Sequence, residues 1–376
     1  MKTDFPALII DTGKVESNIE RMLSKASKSK AVLRPHFKTH QSARTGEIFR
    51  KKGVEKITVS SVQMAEYFAK YGWNDITIAF PLNLLEIEKT DNLAGKIKLN
   101  ILLDSPFVAS EIAKNTKNNI GVFIEIDTGY HRTGLLPGQE NEIEKITDII
   151  SSTKNLNFKG FLTHAGHTYN ANGKEKIIEI LNDAKQKMTA LKNKWQQRFP
   201  DIIVSYGDTP SCSIADNCNG FDEIRPGNFV YYDVMQYHLG SCNLSDIAVS
   251  VAAPVTGIYK NRSEIAVYGG AVHLSKEFIA GDNNFSIFGY IVKYNGNFCW
   301  NEPLNGAWVK SISQEHGIVH MPANELGKIK QGDVIGILPV HSCLTANLLN
   351  KKFFIPSNEP NISSGIHQTT RKNLIK

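Results

Sequence analysis

Over roughly the first 230 residues the chain repeats one unit: a short apolar run, a turn, and a stretch of helical period. "ALII" reads as a strand, and "VESNIERMLSKASK" places Val15, Ile19, Met22, Leu23 and Ala26 on one helical face. "AVLRPH", "KITVSS", "DITIAF", "KLNILLD", "IGVFIEID", "FKGFLTH", "IIVSYGD" and "FDEIRPG" continue the apolar runs. Between them lie helical patterns such as "SARTGEIFRKKG" and "KIIEILNDAKQKMTALKNKW". About eight strands from "AVLRPH" onward, each followed by a helical segment, predict an α/β fold of the (β/α)8 TIM-like barrel type. A doubly wound open sheet is the alternative, because closure is not written in the pattern. Past residue 240 the texture changes to apolar runs punctuated by Gly, Asn and Pro, such as "IAVSVAAPVTGIYKNRSEIAVYGG". The expected organisation is a barrel domain over 1–240, whose first few residues could pack on the second domain, and a mostly β domain over 241–376. The stretch after Pro356 is polar, which predicts loose order.

Composition narrows the class. The net charge of +6 is spread over many amphipathic stretches without a dense basic block, which argues against a nucleic-acid partner. No window approaches the ~18 apolar residues of a membrane span. The start "MKTDFPALIID" does not have the form of a signal peptide. The cysteines are Cys212, Cys218, Cys242, Cys299 and Cys343; an odd, scattered set fits a reducing cytoplasm better than a disulfide framework.

In such a barrel, chemistry collects where strands end. The residues there are "RPHFKTH", "IDTGYHRTG", "THAGHTY", "YGDTPS" and "RPGNFVYYD". "YGDTPSCS" offers Gly207, Thr209 and Ser211 between a strand and a helix start, and Gly227 and Asn228 follow the next strand; together they make an anion cup suited to phosphate. Lys38 sits among Arg34, His36 and His40, and cationic neighbours with partial burial lower a lysine pKa and free its amine as a nucleophile. The bland reading of Lys38 is a surface lysine. A nucleophilic lysine facing a phosphate cup points instead to pyridoxal phosphate, held covalently through that amine. His341 and Cys343, two apart, would face one side of a strand and could ligate zinc; two ligands alone are a weak signal, with chance proximity the default.

These motifs, in this order, resemble the fold-type III pyridoxal-phosphate enzymes of the alanine racemase N-terminal-domain superfamily, and within them the D-threonine aldolase and D-serine dehydratase group. The likeness runs through both domains and includes "SQEHGIV" and "PVHSCLTANL". It implies that Lys38 carries the cofactor and serves as base at the substrate α-carbon. Arg132, His164 and Tyr169 would lie around the cofactor, Arg225 would face the pyridine nitrogen, and Gly207, Thr209, Gly227 and Asn228 would hold the phosphate. His341 and Cys343 match a paired divalent-metal site, zinc or another ion such as manganese. A homodimer is implied, with the β domain of one copy closing the other's barrel mouth.

The reaction stays open among three. The His-x-Cys pair resembles D-serine dehydratases, which release a 2-oxo acid and ammonia. His167 resembles an aldolase feature, where an imidazole takes the β-hydroxyl proton; its structural alternative is a plain hydrogen bond. A racemase would need a second base, and Tyr259, Tyr268, Tyr290 and Tyr294 match no such role by position. Outside this class stand a pyridoxal-phosphate carrier without catalysis, which would lack the second domain, and a metal-only hydrolase built on His36, His40, His164 and His167.

Overall fold

The computed structural model describes residues 3–281, 285–295, 297–349, 351–356 and 369–370. The stretch after 356 expected to be loosely ordered lies almost wholly outside these residues. The chain forms two compact units, Glu20–Gly227 and Met1–Ile19 with Asn228–Lys376.

In Glu20–Gly227 the apolar runs become eight parallel strands. They are β2 (Val32–Leu33), β3 (Ile57–Val59), β4 (Asp75–Pro81), β5 (Lys98–Leu103), β6 (Ile120–Glu125), β7 (Leu156–His164), β8 (Ile203–Gly207) and β9 (Glu223–Ile224), in spatial order β2-β9-β8-β7-β6-β5-β4-β3. The edges meet: Phe37 N–H donates to Thr58 O at 2.8 Å and Thr58 N–H to Pro35 O at 2.9 Å, just past β2. The barrel therefore closes through the "RPHFK" segment rather than through β2 itself, which is only two residues long. The open-sheet alternative is set aside by these bonds.

Between the strands run α1 (Thr12–Lys28), α2 (Ala43–Lys51), α3 (Val62–Lys70), α4 (Ile87–Ala94), α5 (Pro106–Asn115), α6 (Glu140–Ser152), α7 (Lys174–Trp195) and α8 (Thr209–Ile214). Several starts are fixed locally: Ser42 and Ser61 accept from Thr45 N–H and Met64 N–H, and Pro106 opens α5. Leu102, Phe123 and Leu162, on three adjacent strands, pack with Ala79 and Ile203.

β7 carries a bulge at Gly160, where the register against β6 slips between Val122 and Phe123. Gly160 has φ +125°, and a Cβ there would lie 2.0 Å from Ile203 O. We expect Gly160→Ala to cost about 3 kcal/mol or more, combining a forbidden backbone angle with a clash against backbone; a denaturant titration showing a loss under 1 kcal/mol would remove the bulge's structural role.

The other unit is built on an antiparallel ring. β1 is Ala7–Asp11, β10 is Val249–Tyr259 and β11 is Glu264–Tyr268. β12 (Ile279–Ala280) and β13 (Ser286–Ile287) form a hairpin. β14 (Gly289–Val292), β15 (Trp308–Ile312), β16 (His316–His320), β17 (Val334–Pro339) and β18 (Lys351–Ile355) complete it. Pairings run β10-β11-β16-β15-β14-β17 and return to β10, so six strands close on themselves. β1 adds to β10 antiparallel and to β18 parallel, which draws the first strand of the chain into this sheet. Residues 228–240, grouped with the barrel by sequence texture, are tied here by Met235 N–H to Val340 O and Ala248 N–H to Tyr231 O.

Among the described residues no helix is long and apolar enough to cross a membrane.

Candidate functional site

Lys38 stands on the segment that closes the barrel. Its neighbours are pinned: His36 N–H donates to Pro226 O, and Phe37 is buried against Phe49, Phe68 and Trp73 at ring distances near 5 Å. The lysine itself is exposed. Its charge, with those of Arg225, His164 and Arg132, acts on His36, whose imidazole is held well below its ordinary range first by burial and then by Lys38. Lys38, His36, Arg132, His164 and Arg225 are thus brought together.

Two of the groups expected to activate Lys38 do other work. Arg34 is buried, with Nε 2.6 Å from Glu223 and a terminal nitrogen 2.6 Å from Asp75. Burial alone would lower its pKa; the two carboxylates outweigh that and raise it. Arg34 therefore stays cationic with its charge offset by two carboxylates, and its ion pairs tie the chain after β2 to β9 and β4. His40 packs edge-on to Phe37 at 4.3 Å, and its Nδ1 accepts from Ser42 N–H at 3.1 Å.

His164, at the end of β7, has Nδ1 2.5 Å from Gly207 O. A carbonyl only accepts, so the proton sits on Nδ1 and Nε2 is left as an acceptor. Burial, then Lys38 and Arg132, depress its pKa to about 3. An unfolded imidazole protonates near 6.5, so the stability tied to neutral His164 is fully present above pH ~6.5 and is lost as pH falls toward 3. We expect His164→Asn to flatten the decline of Tm between those pH values; an unchanged slope would mean that His164 protonates freely in the fold.

Arg225 is buried, donating to Ser205 Oγ at 2.5 Å and Thr163 O at 2.8 Å. Burial lowers its pKa to about 10, which leaves it a cation at neutral pH. Arg132 lies on the loop after β6, which Asp127 shapes by accepting from Gly129 N–H and His131 N–H; its guanidinium sits 5.3 Å from the Tyr130 ring centre. Glu125, at the end of β6, is buried and its carboxyl is raised by burial against the opposing pull of Thr133 and Arg132. No motif in the sequence singles out Glu125; it is the one ionisable residue of β6, a strand buried throughout.

The residues fit pyridoxal phosphate. Thr209 N–H donates to Tyr169 Oη at 3.3 Å, and Thr209 Oγ1 is buried with no partner among the described residues. A Cβ on Gly227 would lie 2.9 Å from His36 O, and one on Gly207 3.1 Å from Arg225 Cβ, so both turns exclude side chains. Asp208 caps α8, accepting from Ser211 N–H at 2.6 Å. An orphaned hydroxyl, bare turns and a lysine amine on the same barrel form a phosphate-and-aldehyde donor set.

His167 borders this group through Tyr130, the ring that His164 meets edge-on at 5.8 Å and the Arg132 guanidinium approaches at 5.3 Å. Its ring stacks on Tyr130 at 6.2 Å, and the charges that act on it most are Asp127, Lys187, Asp183 and His131.

In the β unit, His341 and Cys343 do not lie on a strand. β17 ends at Pro339, His341 is extended at φ −130°, and Ser342 begins a helix, Ser342–Leu348. The pair converges because an N-cap residue and the first helical turn project together, with the imidazole hydrogen-bonded to the thiol. His341 Nδ1 meets Glu277 Oε2 at 2.9 Å, leaving Nε2 for the thiol side. Burial would lower the imidazole pKa, but Cys343 and Glu277 raise it to about 11. Asn228 Nδ2 donates to Asp233 Oδ2 at 2.6 Å and lies 3.5 Å from Cys343 Sγ. Soft imidazole and thiolate donors with a carboxylate behind the histidine suit a divalent metal such as zinc. Among the described residues no third His, Cys, Asp or Glu completes a cage. Among the tyrosines, Tyr290 is bonded to His238 and Tyr294 to Ser250.

The family model for the alanine racemase N-terminal domain matches residues 10–234, and a serine dehydratase domain model matches 248–355. The chain belongs to this family, the fold-type III pyridoxal-phosphate enzymes. Within it the chain is 30% identical to a D-serine dehydratase of Dictyostelium discoideum, over 96% of this chain and 95% of that one. The D-threo-3-hydroxyaspartate dehydratase of Delftia sp. HT23 superposes with a TM-score of 0.87 at 24% identity, covering 98% and 97%; a cysteine-to-alanine mutant of a D-threo-3-hydroxyaspartate dehydratase, titled as metal-free, gives 0.89 at 25% with the same coverage. D-threonine aldolase from Filomicrobium marinum gives 0.79 at 19%, covering 95% of each chain, a likeness of fold.

Proposed function

We propose that this protein is a pyridoxal-phosphate-dependent, metal-assisted lyase that dehydrates small D-β-hydroxy amino acids, D-serine or D-threonine, to a 2-oxo acid and ammonia. The observation that carries the reading is the His341–Cys343 pair backed by Glu277, on a chain whose barrel presents Lys38 among Arg132, His164 and Arg225. The likeness to D-serine and D-threo-3-hydroxyaspartate dehydratases supports it.

When bound, pyridoxal phosphate supplies an electron sink at the substrate α-carbon, and a divalent metal supplies a Lewis acid for a leaving hydroxyl. Lys38 would hold the cofactor and, once its amine is released, take the proton from Cα. Thr209, Gly207 and Gly227 would hold the phosphate, with Tyr169 set against Thr209. Arg225 stays cationic, so it offers the ring nitrogen a positive charge rather than a proton acceptor. His164, neutral with its proton on Nδ1, presents an acceptor. His341 and Cys343 would hold the metal, and Glu277 orients the histidine.

Glu277→Gln keeps the hydrogen-bonding shape but weakens ligand basicity. We expect metal affinity to fall about 10- to 100-fold, read by competition with a chromophoric chelator; unchanged affinity would take Glu277 out of the site.

We further propose a homodimer working in a reducing cytoplasm. Exposed Phe80, Leu85 and Phe107 on the barrel unit are the apolar groups such an interface would cover. The functional reading is tested by offering both enantiomers of serine and threonine with and without chelator. Consumption of the D forms alone, lost on chelation and restored by zinc or manganese, supports it. Consumption of L-serine, or indifference to chelation, would overturn it. The aldolase reading keeps His167 as its candidate base and is recognised by glycine and an aldehyde as products.

A further inference from the structure

Asn228 belongs to the same unit as His341 and Cys343, and its buried side chain reaches them. Its Nδ2 lies 2.6 Å from Asp233 Oδ2, 3.3 Å from Ser342 Oγ and 3.5 Å from Cys343 Sγ. Asp233 is buried as well. Its Oδ1 accepts from Gln236 N–H at 2.9 Å, and its Oδ2 accepts from Ser342 N–H at 2.9 Å and from Ser342 Oγ at 3.2 Å. Both oxygens serve backbone donors, so Asp233 acts as an acceptor and the nitrogen end of the Asn228 amide faces it. Turning the amide over would set oxygen against oxygen. Asn228 Oδ1 has no partner among the described residues, so the side chain is held through its nitrogen.

An amide nitrogen carries two hydrogens. One is committed to Asp233, and the other is left to Ser342 Oγ and the Cys343 sulfur. Asp233 also steadies the residue between the two ligands. His341 is the N-cap of the helix Ser342–Leu348 but makes no side-chain cap bond, and Ser342 N–H goes to Asp233 instead. We propose that Asn228 is a positioning residue for the metal pair: held by Asp233, it donates an N–H to the Cys343 sulfur and so fixes where the thiolate sits and how much charge it gives to the ion. The proposal rests on the reading of His341 and Cys343 as metal ligands. It also gives the Asn228 side chain a task other than holding phosphate, which the family resemblance implied for this residue. Groups behind metal ligands set their orientation and basicity. A hydrogen bond to an ionised sulfur draws charge toward the donor, so its loss is readable in the electronic spectrum of a bound metal.

The test titrates holoprotein, stripped of metal by a chelator, with zinc against a chromophoric competitor, and with cobalt(II) to read the thiolate-to-cobalt charge-transfer band. Asn228→Ala should bind zinc roughly tenfold more weakly or worse. It should also move the band to longer wavelength, because the sulfur keeps charge that the amide had drawn off. Its affinity for pyridoxal phosphate should match the parent's. Ser342→Ala should move the band the other way, since the shared N–H then goes to sulfur alone. That variant keeps the backbone N–H on Asp233 and decides the matter if Asn228→Ala misfolds. Parental zinc affinity with an unmoved band in Asn228→Ala, or an unmoved band in Ser342→Ala, would overturn the proposal. Weaker pyridoxal phosphate binding at parental zinc affinity would overturn it too and return the Asn228 side chain to the phosphate. A parent protein that takes up neither zinc nor cobalt would instead refute the metal reading of His341 and Cys343, and the proposal with it.

Discussion

Lys38→Ala is expected to lose the visible absorbance of covalently held pyridoxal phosphate and at least about 10⁴-fold in turnover, the scale of removing a residue that forms the covalent link. Fold damage is not expected to contribute. Lys38 is exposed, while the bonds that close the barrel run through the backbone of its neighbours, from His36 to Pro226 and from Phe37 to Thr58. The anchor of the segment is Phe37, buried among Phe49, Phe68 and Trp73. The variant should therefore show the parent's circular dichroism and Tm. A lysine-type chromophore or parental turnover in Lys38→Ala would end the assignment.

The second large effect is expected at the metal pair. His341→Ala or Cys343→Ser should abolish stoichiometric metal in the purified protein and reduce turnover about 10²- to 10³-fold, the loss of a Lewis acid worth several kcal/mol. The two variants should match each other and the chelated parent, because either one leaves a single donor where the structure pairs two. Cofactor absorbance should survive in both, which separates this defect from that of Lys38→Ala. Elemental analysis with parallel turnover measurements checks it; full metal content in Cys343→Ser would take the thiol out of the site.

The barrel was legible because its evidence is local. Each apolar run is short, turn-bounded and followed by a helical period, and ionisable residues cluster where the runs end. The turn after β8 was legible too, since Asp208-Thr209-Pro210 reads as a helix start and is one. Contacts between distant residues were not legible. Arg34 looked like part of the setting of Lys38 because it is close in sequence, but its partners, Asp75 and Glu223, lie on two other strands. His341 and Cys343 were paired for the wrong geometric reason: a strand would place them on one face, whereas an N-cap and a helical turn do so here. Glu277, the carboxylate behind His341, lies 64 residues away in sequence with no motif around it.

The central claim is the bond that breaks. Metal-loaded holoenzyme given D-serine should release pyruvate and ammonia in equal amounts until the substrate is consumed, with no glycine, no formaldehyde and no L-serine. Glycine with formaldehyde, or L-serine without ammonia, would contradict the account.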